Sequence, residues 1–586
     1  MTNKKVIFIG FAVLLALALN ACGGAGAPAA PQEKPAEEPA AAQEKPTEKA
    51  VEPPAADAAS SYTAAEATPA AGTGTVQPGG TLVLVTHQKP AHLDPTVHTS
   101  RYTTMVNFNT HDPLVWAVKP HVYAPGLAER WEASADFRVY TFYLRKDVTF
   151  HDGTPLTAEA VKFTWDRIID PATRSLRAPE LGTYDKSEVV DSHTVRVTFK
   201  DPYPTFLDIA SNVGVSPNSP TAVAKLGDAY LKTPSGTGPF KVDSWPNENS
   251  LVLVKNPDYK WGPAHLSNSG AAYLDKIVFK YVKEEVTRTT SLERFEAHVI
   301  EDPARQMYRA FKAVASFQVM LFKTSGLPQH WAFNLTRYPT NDLAVRQAVL
   351  HGLNMQAIAD TVFFGTVTPA KGPLSDSNWA YWDGVADYYK YDPKKSIALL
   401  EAAGYKRNPT TQIFEKDGQP VKMTLVTTST TDQMRSAEMA QGQLKEIGID
   451  FQVDSMVYDA TVDRYVKNEY ELGRLGLSGF DPDVVWRAFH SSQIKGGAQF
   501  NRAQVNDPDL DALLEKGRTL VDSTERKKVY EDIQKTIMDN AIAAFVWEDH
   551  YMFAGLGCVK DWTWEMRGNY LFHNLWLEGA CRDISG

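Results

Sequence analysis

The sequence predicts an α/β protein divided into lobes, and two observations carry that expectation. Downstream of residue 277, β-branched runs alternate with stretches of helical periodicity, the pattern that layers helices on sheets rather than building a sandwich or bundle. The chain is also large and apolar enough to bury several cores: 586 residues, 43% hydrophobic and 22% charged, room for roughly three to four ordinary domains. Sixty Lys+Arg against seventy Asp+Glu leave a net charge of −10, which argues against a nucleic-acid binder working by phosphate neutralisation. Three cysteines are too few for a disulfide scaffold or a cysteine zinc site.

The first 78 residues stand apart. Lys4 and Lys5 precede an apolar run from Val6 to Leu19, shorter than the roughly 20 residues a membrane span needs. Leu19-Asn20-Ala21-Cys22 followed by Gly23-Gly24 resembles a bacterial lipoprotein cleavage box. Residues 1–21 are therefore expected to be a signal peptide and Cys22 a lipidated first mature residue, each buried methylene contributing about 0.8 kcal/mol of membrane affinity. Residues 22–78 are rich in Ala, Pro and Glu with Tyr62 as the single aromatic, and cannot bury enough surface to offset ordering entropy. They read as a disordered tether.

The folded body opens with Thr81-Leu82-Val83-Leu84-Val85, a buried strand, and a helix around Tyr102 to Thr110. Residues 131–150 alternate like a hairpin, with 139–144 answered by 148–150. Thr157 is placed to cap a helix whose apolar face is Val161, Trp165 and Ile168, ended by Asp170-Pro171. Val189 to Phe199 reads as a strand pair, Lys241–Val242 and Leu251–Val254 as another. Ile277 to Val282 is expected to be the first crossover between lobes. Helices follow at 342–364, 393–403, 432–447, 459–468, 508–521 and 523–539, with strands at 421–427, 449–456, 472–478 and 543–547.

Several passages together resemble the solute-binding proteins of ABC importers, in the class that includes oligopeptide, dipeptide and nickel binders. They are Leu127-Ala128-Glu129-Arg130-Trp131 through Val148-Thr149-Phe150-His151-Asp152-Gly153-Thr154-Pro155-Leu156-Thr157, Gly236-Thr237-Gly238-Pro239-Phe240, Phe333-Asn334-Leu335 with Val345-Arg346-Gln347-Ala348, and Ala398-Leu399-Leu400-Glu401-Ala402-Ala403-Gly404-Tyr405. The resemblance covers residues 79–586. It implies a two-lobed fold of the type II periplasmic-binding-protein kind, with an extra subdomain in the first lobe. The lobes are then expected at 79–283 and 284–546, with 547–586 returning to the first.

The resemblance also implies a site. In peptide-binding relatives a strand before an Asp-Pro turn pairs with the ligand backbone and an aspartate holds its α-amine. Here that passage is Gly476-Leu477-Ser478-Gly479-Phe480-Asp481-Pro482-Asp483, so Ser478, Gly479 and Asp481 are candidates, Asp481 either as ligand contact or as turn-former. Tyr102 and His111, after Leu93-Asp94-Pro95, are expected to face the cleft, and Asn334 to lie at a strand end near it. Trp379 could offer a stacking platform or only pack its own loop. Tyr458, Trp486 and Asn501 flank the candidate strand, and Arg346 is expected to pair within the second lobe. Cys558 and Cys581 either form a disulfide, which an exported compartment permits, or remain free buried thiols.

Function follows as an expectation: a monomeric, lipid-anchored receptor outside the cytoplasm that binds a peptide or peptide-like solute and delivers it to ABC permease subunits, without cofactor, metal or chemical step. An oligosaccharide or nickel-chelate carrier and a sensory co-receptor are the rivals. An extracellular hydrolase is weakened by the absence of P-loop, metal-triad and complete G-x-S-x-G patterns.

Overall fold

A computed structural model describes residues 75–584, apart from 98–99 and 496–499. The expected signal peptide, the expected lipidation site Cys22 and the expected tether up to residue 74 lie outside the described residues. Among the described residues no helix is long and apolar enough to cross a membrane.

Two sheets organise the chain. The first has seven strands in the order Phe317–Lys323, His550–Leu556, Val299–Glu301, Thr81–Thr86, Lys276–Tyr281, Ser250–Lys255 and Phe240–Asn247. Thr81–Thr86 is central and parallel to both neighbours, so it is apolar on both faces and buried from Leu82 onward. The second has six strands: Thr368–Pro369, Ala543–Glu548, Gly326–Phe333, Leu472–Ser478, Lys422–Thr428 and Asp450–Met456. Its central strand Gly326–Phe333 is buried at every position because separate apolar clusters pack its two faces. A third, four-stranded antiparallel sheet, Ala128–Ala133, Val139–Leu144, Thr194–Phe199 and Tyr184–Asp191, forms the extra subdomain with the helix Ala158–Ile169. Val139–Leu144 alternates in burial as a strand with one covered face should.

The mixed α/β, two-lobed architecture agrees with the sequence, and three local expectations are corrected. Residues 148–150 do not answer 139–144; that strand pairs with Ala128–Ala133 and Thr194–Phe199 instead. The helix expected over 342–364 is two, Leu343–Gly352 and Met355–Val362, because Asn354 turns out of the helical region and its side chain caps the second helix through Ala357 N–H at 2.9 Å. Lys276–Tyr281 is not a crossover strand: the chain stays in the first sheet through Val299–Glu301 and Phe317–Lys323.

The chain passes between the sheets twice, at Thr324–Ser325 and at Asp549, and the passages are tied together. Thr324 donates to the Asp549 carbonyl from its N–H at 3.0 Å and its hydroxyl at 3.1 Å. Gly326 begins the second sheet with φ +132, where a Cβ would meet the Leu477 carbonyl at 2.3 Å, so only glycine lets the strands close up here. The C-terminal segment packs on the first sheet through Trp562, Tyr570 and Leu577, and Cys558 is bonded to Cys581, their Cα atoms 6.1 Å apart.

Candidate functional site

The face that the second lobe turns to the first is set by the end of the strand Leu472–Ser478. The chain leaves it through Ser478, Gly479 and Phe480, held by Gly479 N–H on the Ser325 carbonyl at 2.9 Å and by Asn378 Nδ2 on the Phe480 carbonyl at 2.9 Å. Ser478 is exposed and Gly479 half-buried.

Of the two roles open to Asp481, the turn-former is the one with a partner here: its Oδ1 accepts from the Asp483 N–H at 2.9 Å. Both oxygens of Asp481 also accept from Arg526, Nη1 to Oδ2 and Nη2 to Oδ1, each at 2.7 Å, and Arg526 Nε is spent on the Gly517 carbonyl at 2.6 Å. Burial works against the charge of Asp481, but Arg526 more than offsets it and holds the carboxyl below its usual range. Two residues on, Asp483 stands 3.2 Å from Arg518, yet burial and the neighbouring Asp481 charge push its carboxyl up to about 7.

Across the seam the first lobe contributes aromatic and cationic contacts. His121, at the turn between Val115–Lys119 and Val122–Pro125, meets the Trp379 ring edge-on at 4.8 Å. Arg567 lies 4.9 Å from the Phe480 ring and donates to the Asp208 carbonyl at 2.8 Å, while Tyr123 donates to the Asp208 carboxylate at 2.6 Å. Trp379 is thus part of the lobe-to-lobe contact, and its indole N–H is buried without a partner in the structure.

Nearer the passages between the sheets lies a denser polar group. Arg101, the first residue of the helix Arg101–Thr110, forms an ion pair with Glu301 and lays its guanidinium 3.8 Å over the Tyr551 ring. Burial opposes the charge of Arg101, but Glu301 and the surrounding tyrosines raise its affinity for the proton. Tyr551 in turn stands close enough to Ser478 of the other lobe for that side chain to bear on its phenol. Tyr102 Oη is 2.7 Å from His87 Nε2, whose Nδ1 is 3.2 Å from Asp302. Arg305 reaches over to the second lobe, donating to Asp432 at 2.9 Å and to Thr366 at 2.8 Å.

The other candidates are placed elsewhere. His111 is fully buried against Gly236, inside the first lobe, and burial takes its imidazole down to about 3. Asn334 sits just past the far end of the strand from Gly326, about 26 Å away at 3.3 Å per residue. Its amide ties this strand end to a loop of the same lobe, donating to Asn468 at 2.6 Å and to the Tyr470 carbonyl at 2.9 Å, and accepts from Thr336 Oγ1 at 2.7 Å. Asn501 clamps a loop through the His490 and Val505 carbonyls at 3.0 and 2.9 Å. Trp486 donates to Glu515 at 2.9 Å under the Arg518 guanidinium, a contact internal to the second lobe. Arg346 binds the Thr340 and Asn540 carbonyls, at 2.9 and 3.0 Å, a structural role within its lobe. Tyr458 opens the helix Tyr458–Val466, and its side chain lies outside the described residues.

So the structure gathers Tyr102, Trp379, Ser478, Gly479 and Asp481 near the seam and leaves His111, Asn334, Trp486 and Asn501 away from it. Sequence reasoning missed Arg101, Glu301 and Tyr551. They belong to three segments, Arg101 and Glu301 lying 200 residues apart, and nothing short of the strand order of the first sheet brings them together.

Comparison with known proteins bears on the whole arrangement. A family model described as "Bacterial extracellular solute-binding proteins, family 5 Middle" matches residues 122–496. The glutathione-binding protein GsiB of Escherichia coli (strain K12) is 28% identical over 460 residues, covering 75% of this chain and 85% of that protein. Among solved structures, NikA from Brucella suis in complex with Fe(III)-EDTA superposes with a TM-score of 0.77 at 25% identity, covering 85% of this chain and 100% of its own. DppA from Helicobacter pylori in complex with the peptide STSA gives 0.71 at 26% identity, covering 86% and 99%.

Proposed function

This chain belongs to the bacterial extracellular solute-binding proteins of family 5, and from that premise we propose a lipid-anchored monomer that captures a peptide or peptide-like solute between its lobes and hands it to the permease of an ABC importer. It is a solute-binding protein acting outside the cytoplasm, not an enzyme. Closing a cleft around a solute excludes water and strengthens each polar contact made to it. The observation that carries the reading is the pair of tied passages at Thr324–Ser325 and Asp549, which leaves the lobes otherwise joined by side-chain contacts that can part. The acyl chains on Cys22 would keep such a receptor at the membrane, with residues 22–78 as its tether.

Among peptide-like solutes, a glutathione-sized compound is favoured by the named relatives. A metal chelate rich in carboxylates is the second reading, favoured by Arg101, whose Nε and Nη2 are buried without a partner in the structure near the seam. Native mass spectrometry of the full chain in mild detergent tests both. One small molecule released intact per chain is expected, an organic peptide-like mass for the first reading and a metal-bearing one for the second. A chain that carries nothing and shows no concentration-dependent rise in Tm with peptides, glutathione or nickel–histidine contradicts the receptor reading.

A further inference from the structure

Arg101 and Glu301 are joined to each other yet neither is satisfied. An arginine offers five N–H donors and an ionised carboxylate two acceptor oxygens. Arg101 uses Nη1 on Glu301 Oε1, and its Nε and Nη2 are buried without a partner in the structure. Glu301 keeps Oε2 buried and unpartnered, on a side chain only 1% exposed. Polar capacity buried and left unmade is costly, more so when charged, and a buried ion pair is stable only when its remaining positions are filled.

The free positions have a definite shape. Nε and Nη2 form one edge of the guanidinium, a fork that accepts a carboxylate side-on. Arg145 uses that same edge in this protein, with Nε 3.1 Å and Nη2 3.2 Å from the two oxygens of Asp147. Beside the fork stands one carboxylate oxygen suited to a cation. Tyr551 forms the floor under the guanidinium and stands near Ser478 of the opposite lobe, so closure covers the place.

We propose that Arg101 and Glu301 read an α-amino-acid head, the solute's carboxylate on the Nε–Nη2 edge of Arg101 and its ammonium on Glu301 Oε2. The free donors and the free acceptor belong to two side chains in direct contact. A carbon bearing both groups matches that closeness, whereas an α-linked peptide sets its ammonium and carboxylate at least one Cα–Cα step of 3.8 Å further apart. The assignment rests on the receptor reading and narrows its solute to one with a free amino-acid end.

Calorimetric titration of the full chain, refolded to strip bound solute, tests it. The probes are glutathione, which carries ammonium and carboxylate on one carbon, and N-acetylglutathione. Glutathione is expected to bind and N-acetylation to weaken it tenfold or more. Arg101→Lys keeps a cation for Glu301 but lacks the fork, and with Glu301→Gln it is expected to lose roughly tenfold or more while keeping a wild-type circular dichroism spectrum, the Tm of Glu301→Gln falling because its partner charge is stranded. Equal binding of both probes, or unchanged affinity in both folded variants, overturns the assignment and leaves the receptor reading standing. So does release of a native solute that has no amino-acid end. If neither probe binds and no solute is released, both fall together.

Discussion

Asp483 shows how a single carboxyl at the seam couples charge to stability. Free aspartate titrates near 3.9, and burial beside Asp481 moves Asp483 to about 7 despite Arg518. Between those values the folded chain holds a proton that the unfolded chain has lost, so this group's contribution to stability is full below about pH 4 and declines as pH rises toward 7. Buried histidines run the other way: His111 near 3 and His151, His330 and His550 near 4 lose stability as pH falls through the range of free imidazole. The difference between wild type and Asp483→Asn isolates the carboxyl. That difference is expected to change steadily from pH 4 to 7 in urea unfolding and to level off above; a difference flat across the range contradicts the placement of Asp483.

At the scale of elements, Asp481 pins the loop after Leu472–Ser478 to the helix Ser523–Asp539 through its two bonds to Arg526. Removing one member of such a pair strands the other charge, so Asp481→Ala is expected to cost about 3 kcal/mol of unfolding free energy, read by urea denaturation without solute. A loss under 1 kcal/mol would mean that Arg526 finds another partner. Elements of this kind were legible in the sequence where the pattern was local. Lys422–Thr428, Thr431–Glu446, Asp450–Met456 and Leu472–Ser478 fall within two residues of expectation, since each carries its own periodicity and cap or turn residues. The break at Leu353–Asn354 was hidden because apolar periodicity runs through it, and only the capping geometry of Asn354 shows two helices. The strand at 148–150 failed for the opposite reason: its apolar residues pack in the subdomain core without joining the ladder.

For the whole molecule, the two-lobed class could be read from strand and helix alternation and from the passages quoted above, because scaffold residues recur along one chain. The site could not be read the same way. Ser478, Gly479 and Tyr102 lie near the seam, and Asp481 is engaged by Arg526, a partner 45 residues away in sequence. Arg101, Glu301 and Tyr551 meet only because strands from both halves of the chain interleave in the first sheet. That interleaving is also what allows motion, since the lobes share just the passages at Thr324–Ser325 and Asp549 while the remaining bridges, such as Arg305 with Asp432 and His121 with Trp379, are side-chain contacts. Small-angle X-ray scattering on the stripped chain, titrated with the solute identified by mass spectrometry, tests this account most directly. A radius of gyration that falls and saturates at the calorimetric Kd is expected; one that stays constant through saturating solute contradicts capture by closure of the lobes.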